Sequence, residues 1–368
     1  MLSFALARID SALSTQHLIL RGLTTQNFRN LASEEVLFHA TTNLVVGRNG
    51  QGKTNLLEAI YFLATTKSFR TPHLASVVRF DAPGVFAQGV LARGHVEKAL
   101  SIGLEIGEAR RRVLMINEER VPLSRYLNAM SVFAYSSARL EILRGSPEER
   151  RRFLDRGIAS VDPAYLDALA RTTRVLKQRN ALLQEGKTLD AWDDELARVA
   201  AVVQNARAAY AASLAQAFAS IVERHAYHVR DLQMIYRPSL LPAKRADELR
   251  ARVTLAGPQR DQLDFVVAGR PAAEVLSGGE MKMVVLFLKF AKLDLFRARF
   301  DEPAIFLLDD VDAELDLEIL EQLLLRLPAE TQVFATSAKE RFLGALTAGP
   351  HRRLLIENGR VTTTEDFA

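Results

Sequence analysis

At 368 residues, 48% hydrophobic and 25% charged, the chain has the composition of a water-soluble globular protein with room for one large or two ordinary domains. The absence of cysteine excludes disulfides, thiolate metal sites and a cysteine nucleophile. A net charge of +4, with 38 arginines against 10 lysines, permits nucleic-acid binding without requiring it.

Residues 1–17 carry short apolar runs broken by Arg8 and Asp10, with no basic start, and read as a loosely ordered extension rather than a targeting segment. No apolar run reaches membrane-spanning length, because lysines break even residues 286–295. A strand and turn are predicted over 18–30 and a second strand over 35–39. A short buried strand over 43–46 then leads into Gly47-Arg48-Asn49-Gly50-Gln51-Gly52-Lys53-Thr54, which fits G-x-x-x-x-G-K-[ST]. Glycines at these places let successive N–H groups point inward at phosphate oxygens. Lys53 would reach the β- and γ-phosphates, and the Thr54 hydroxyl would take one position on Mg²⁺. Apolar spacing over 55–63 predicts the helix whose N-terminus completes the anion site. A glycine-rich turn that happens to precede a lysine is the alternative, and the flanking strand and helix weigh against it.

Pro72 ends the segment Lys67-Ser68-Phe69-Arg70-Thr71-Pro72. Alternation over 85–92, 98–106 and 112–116 predicts antiparallel strands turning at Gly94 and Gly107. Arg110-Arg111-Arg112 is a solvated charge run or a phosphate contact. After a buried strand over 131–135 the pattern turns helical. Ser146 and Glu149 form a capping box around Pro147. Helices over 162–184 and 190–230, broken at Gly186, predict a short antiparallel arm. His225 and His228 lie at i,i+3 on the second helix and read as packed or solvated rather than metal-binding. Strands are predicted over 232–236 and 263–267.

Leu276-Ser277-Gly278-Gly279-Glu280 opens an apolar helix over 281–296 and resembles the signature motif of ABC-type ATPases. Ile305-Phe306-Leu307-Leu308-Asp309 is an apolar strand ending in a carboxylate, with Asp310 next. Asp309 would hold Mg²⁺ and Asp310 would orient the attacking water, as in a Walker B strand. Glu314-Leu315-Asp316 falls at the D-loop position, and a strand over 331–337 ends in Thr336 and Ser337, polar groups placed to sense the γ-phosphate. In ABC-type enzymes a helix start such as Ser277 completes the site of a second subunit, which implies an ATP-dependent homodimer with two composite sites.

The blocks Asn27-Phe28-Arg29-Asn30, Lys67-Ser68-Phe69-Arg70-Thr71, Gly145-Ser146-Pro147-Glu148-Glu149-Arg150-Arg151-Arg152-Phe153-Leu154-Asp155 and Leu176-Lys177-Gln178-Arg179-Asn180 are more specific than the ATPase motifs. With the P-loop segment through Tyr61 and Leu307-Leu308-Asp309-Asp310, they resemble the RecF family of bacterial recombination proteins over residues 18–340. That resemblance implies an α/β fold: an ABC-type P-loop ATPase head of mixed sheet and helices with an inserted helical lobe bearing a short antiparallel arm. The head would comprise 18–135 and 253–368, and the lobe 136–252. The expected function is a cytoplasmic ATP-gated clamp on duplex DNA near single-strand gaps, acting in DNA damage and SOS responses. RecR, with RecO, would be its partner in loading RecA, and slow DNA-dependent ATP hydrolysis would reset it.

Expected nucleotide contacts are Arg29, Gly47, Asn49, Gly50, Gln51, Gly52, Lys53, Thr54, Asn55, Ser277, Gly278, Gly279 and Thr336. Lys53, Asp309 and Asp310 would be catalytic, and Thr54 and Asp309 would hold Mg²⁺. The chain departs from the family pattern at Gln259 and Gln262, at Ser136-Ser137-Ala138-Arg139-Leu140, and in its general ABC-type signature. These departures bear on hydrolysis and its coupling to DNA. Arg139, Arg144 and Arg150–Arg152 are candidate phosphate contacts, with pairing to Glu141, Glu148, Glu149 and Asp155 as the alternative. The competing functions are the energising subunit of a transporter, opposed by Thr336-Ser337, Asp310 and the arm, and a module that binds ATP with negligible hydrolysis. A DNA-cutting relative is disfavoured because no nuclease carboxylate cluster follows Asp310.

Overall fold

A six-stranded sheet carries the fold, and its strand order explains why distant motifs meet. The computed structural model describes residues 17–107, 111–136, 140–186, 189–229, 231–300, 302, 304–310, 317–325, 327, 330–338 and 349–368. Across the sheet the strands run Arg360–Phe367, His351–Glu357, Thr42–Val46, Val333–Ser337, Ile305–Asp309 and Val132–Ser136. All adjacent pairs are parallel except the edge hairpin formed by the first two.

Parallel strands covered on both faces are mainly apolar, which is how the segments 44–46, 132–135, 305–308 and 333–335 read. Their side chains divide with period two between two cores. Leu44, Val46, Phe133, Tyr135, Phe306, Leu308, Val333 and Ala335 enter one core together with the helices. Val45, Ala134, Ile305, Leu307 and Phe334 enter the other, beneath the helix Lys53–Thr65.

A second six-stranded sheet roofs that other core. It is antiparallel and includes Leu18–Gln26, Gly84–Arg93, Val96–Glu105 and Arg111–Ile116. On the opposite side lie Pro147–Val161, the arm Tyr165–Glu185 and Asp190–Arg224, and the long helix Gly278–Phe300. The capping box at Ser146 and Glu149 is present, and Gly186 turns the arm in the left-handed region. Strand Gln233–Arg237 pairs with Gln262–Val267, so this ladder joins residues on both sides of position 252.

Three elements differ from expectation. The second arm helix stops at Arg224 rather than near 230. Ala226 turns left-handed there, and the Tyr227 N–H returns to the Val222 carbonyl, a Schellman-type stop. His225 and His228 therefore do not share a helix face. The P-loop helix begins at Lys53, earlier than apolar periodicity indicates, because Lys53 and Thr54 are polar residues of its first turn. The C-terminal hairpin was not predicted, although Asn358-Gly359, with φ of 48° and 78°, is the residue pair that a type I′ turn favours. The extension 1–16, Arg110, the loop Ser137–Arg139 and the D-loop position Glu314–Asp316 lie outside the described residues.

Candidate active site

Parallel register brings four strand ends into line. Val46 pairs with Ser337 and Leu355, and Asp309 pairs with Ser136. The loop after Val46 and the carboxylate ending the Ile305–Asp309 strand therefore emerge at the same edge, where open parallel sheets bind ligands.

The loop needs its glycines. Gly47, Gly50 and Gly52 have φ of 144°, 81° and 115°. A Cβ at Gly47 would lie 2.5 Å from the Ile356 carbonyl oxygen, whereas one at Gly50 would meet nothing within 4 Å. Lys53 folds back, and its Nζ donates to the carbonyls of Gly47 at 2.6 Å and Arg48 at 3.0 Å, with Asn49 Oδ1 at 3.5 Å. No side chain caps the Lys53–Thr65 helix, and its first turn carries no acidic residue. An uncapped helix start lined with N–H groups and an ammonium is chemically matched to phosphate.

Thr54 Oγ1 donates to Asp309 Oδ1 at 2.8 Å. Asp309 also accepts from Thr336 Oγ1 at 2.9 Å on Oδ1 and from Ser136 Oγ at 3.2 Å on Oδ2. Burial pushes the Asp309 carboxyl above its ordinary range and neighbouring Asp310 adds to this, while the three hydroxyls pull it back. A hydroxyl touching a carboxylate beside a phosphate cradle is the oxygen donor set Mg²⁺ takes when phosphates supply its other ligands. Among the described residues, no cluster of three or more His, Asp or Glu side chains offers a metal site made by protein alone. A groove of about 500 Å³ opens beside the loop between Gly47, Arg48 and Gln51 on one side and Ala338, Leu355, Glu357 and Asn358 on the other.

The remaining expected residues fall in distinct places. Asp310 sits at the rim with φ of 57°, and its N–H donates to Thr336 Oγ1 at 2.9 Å. Thr336 is fully buried, so its hydroxyl orients Asp309 and the turn after it rather than facing the groove. Arg29 is bound bidentately to the fully buried Glu58, which also accepts from Ser68 and Arg70. Asn55 bridges Asn30 and Arg70. Arg29 and Asn55 therefore brace the side of the P-loop helix. Gln51 accepts from the C-terminal hairpin turn, its Oε1 from Asn358 N and its carbonyl from Gly359 N, both at 2.7 Å. Ser277, Gly278 and Gly279 stand apart from this assembly. Ser277 bonds to Glu280 through its N–H and hydroxyl and to Met281 N through its carbonyl, and the space over Gly278 is open.

Sequence reasoning missed Ser136, Glu58 and the Asn358-Gly359 turn as parts of the site. The turn had a local signal, whereas the other two act through side chains far away in sequence. The arginines of the 150–152 run are paired internally: Arg150 to Asp264 and the Leu143 carbonyl, Arg151 to the Asp261 carbonyl, and Arg152 to Glu148. Arg144 ends its helix exposed, and Arg139 lies outside the described residues.

The RecF/RecN/SMC N terminal domain profile matches residues 19–349. The DNA replication and repair protein RecF of Geotalea uraniireducens is 30% identical over 355 residues, 91% of this chain and 97% of that protein. The namesake protein of Myxococcus xanthus is 34% identical over 325 residues, covering 81% and 85%. A solved structure of the recombination mediator protein RecF with ATPrS in the RecFOR pathway superposes with a TM-score of 0.81 at 25% identity, over 96% of this chain and all of that one. The corresponding RecF-ATP structure gives 0.84 at 24% identity, over 98% and 100%. A Smc head bound to the C-winged helix domain of ScpA gives 0.54 at 14% identity, over 95% and 97%, and speaks to fold alone. The chain belongs to the RecF family, within the RecF/RecN/SMC group of ABC-type ATPase folds.

Proposed function

We propose that this chain is an ATP-gated DNA-binding protein of replication and gap repair, two copies of which close on duplex DNA when ATP is bound. The Thr54–Asp309 hydrogen bond carries this reading, because it joins the phosphate loop to the strand carboxylate as a Mg²⁺-dependent nucleotide site requires. Lys53 and the N–H groups of residues 50–54 would hold the phosphates, and Thr54 with Asp309 would hold the metal. Bound Mg²⁺ would supply charge neutralisation on the phosphates. Thr336 and Ser136 keep Asp309 aimed, and Asp310, next in the chain, would orient the attacking water.

Ser277 contributes nothing to its own chain's phosphate loop, which supports a composite site completed by a second copy. The names of the relatives, a replication and repair protein and a recombination mediator of a RecFOR pathway, support a role in repair; RecR and RecO would be partners and RecA the protein eventually loaded. Slow hydrolysis in the cytoplasm would reset the clamp. Contacts to DNA would run to backbone phosphates, so affinity should fall steeply with salt.

Sedimentation velocity with a gapped duplex, with and without ATP and Mg²⁺, tests the reading on wild type, Lys53→Ala and Ser277→Arg. Wild type should form an ATP-dependent dimer that travels with the DNA, and both substitutions should abolish it. A wild-type protein that binds ATP yet stays monomeric and ignores DNA would overturn the clamp.

A further inference from the structure

The root of the arm is fastened to the signature helix at two places. Beyond the stop at Arg224, Tyr227 is buried edge-on against Phe287 in the middle of Gly278–Phe300, with ring centroids 5.2 Å apart. His228 packs on Tyr227 at 4.5 Å and reaches the beginning of the same helix, where its Nε2 lies 2.6 Å from Glu280 Oε1. The other Glu280 oxygen accepts from Ser277 N at 2.7 Å, and Ser277 Oγ accepts from Glu280 N at 3.3 Å. Both carboxylate oxygens are thus engaged. Hydrogen bonds from Ser277, and then from His228, hold the Glu280 carboxyl down at about 2, so it is anionic.

An anion folded over this helix start complements the helix dipole in the free protomer. It also adds negative charge beside Ser277, the residue expected to meet a phosphate. We propose that His228 is a positioning residue of the composite site: its ring nitrogen, bonded to the Glu280 carboxylate, holds that anion back, so that Ser277 can meet the phosphates of a nucleotide carried by a second copy. This rests on the composite-site reading given above. Because Tyr227 fixes the ring through Phe287, the position of His228 also follows the arm, linking the arm's attachment to the phosphate-facing segment.

The test is the ATP concentration giving half-maximal dimer in sedimentation velocity, measured with Mg²⁺ on the full chain, together with the thermal midpoint of each variant. His228→Ala should raise that concentration roughly fivefold, the effect of one charge left free to move near a helix end. Its unfolding midpoint should stay within about 2 °C of wild type, since an exposed contact contributes little to folding. His228→Gln, which keeps an N–H donor at similar reach, should recover most of the affinity. In a Glu280→Gln background, His228→Ala should have no effect, because the charge it handles is gone. An unchanged ATP requirement in His228→Ala, or the same shift with Gln at position 280, overturns the proposal while leaving the composite site standing. A wild-type protein that does not dimerise with ATP overturns both.

Discussion

Thr54 Oγ1 and Asp309 Oδ1 meet at 2.8 Å across 255 residues of chain, and that contact is where the fold and the chemistry pull in opposite directions. Burial raises the Asp309 carboxyl above its ordinary range. A carboxyl raised by folding costs stability as pH climbs through its unfolded value, and the full cost is present above its folded value. Asp309→Asn keeps a hydrogen-bond acceptor and removes the charge. The thermal midpoint of the nucleotide-free protein at neutral pH should rise by about 1–3 °C. Hydrolysis of ATP should fall at least ~100-fold, as when one electrostatic stabiliser leaves an active site. Calorimetry and phosphate release measure the two effects, and a lowered midpoint would show that the fold needs the anion.

The parts of this site that were legible in the sequence are those in which neighbouring residues suffice. Gly47 to Thr54 and the run ending at Asp309 declare themselves because loop, helix start and strand are each encoded in fewer than ten positions. Arg29 shows where legibility ends. Its block is recognisable, but its bond to Glu58 depends on how the turn before the P-loop strand folds against the P-loop helix. Thr336 was expected at the γ-phosphate, but its hydroxyl is turned by the Asp309 strand beside it, which no local pattern encodes. The strand Gln233–Arg237 pairs beyond position 252, in a register that no local residue pattern encodes.

The C-terminal hairpin locks the phosphate loop. Gly359 has φ of 78°, and a Cβ there would come within 1.9 Å of the Asn30 carbonyl oxygen. Gly359→Ala should therefore destabilise the fold by roughly 2–4 kcal/mol through backbone strain and overpacking. Nucleotide affinity should fall with it, because the turn's N–H groups hold Gln51. Gly50→Ala is the control: its φ of 81° is also unfavourable, but its surroundings are open. That change should cost only about 1–2 kcal/mol. Urea unfolding of both variants checks the ranking, nucleotide titration of Gly359→Ala checks the coupling to the loop, and equal unfolding costs would show that the hairpin contact adds nothing.

Arg207 ties the helix Asp190–Arg224 to Asp155, Pro258 and Asp261. It donates to both oxygens of Asp155, to Asp261 Oδ2 and to the Pro258 carbonyl. Asp261 is fully buried and also accepts from Tyr236, Gln204 and Ser239. Arg207→Ala would leave that carboxylate without its cation and should cost roughly 3–5 kcal/mol in urea unfolding. Arg152→Ala, which removes a solvent-exposed i,i+4 pair with Glu148, should cost no more than about 0.5 kcal/mol. Similar losses for the two would contradict the burial argument.

Lys292 offers a separate test of buried charge, on the helix that carries the signature segment. Its Nζ donates to the Phe153 carbonyl at 2.9 Å and lies 4.1 Å from the centre of the Phe153 ring. Burial drives the ammonium well below the ordinary lysine range, Lys289 and Arg156 push the same way, and Asp155 opposes them. A lysine lowered by folding binds its proton more weakly in the folded state. Its penalty is therefore absent above the unfolded value and grows as pH falls toward the folded one. Lys292→Met keeps the volume without the charge and should stabilise the protein by roughly 1–3 kcal/mol at neutral pH. That advantage should shrink steadily as pH rises toward the ordinary lysine range, where the two proteins converge. Denaturant unfolding of both from neutral to alkaline pH reads the slope directly. A pH-independent gap would mean that shape, not charge, separates them, and a less stable methionine variant would mean that the Phe153 contact outweighs the burial of the ammonium.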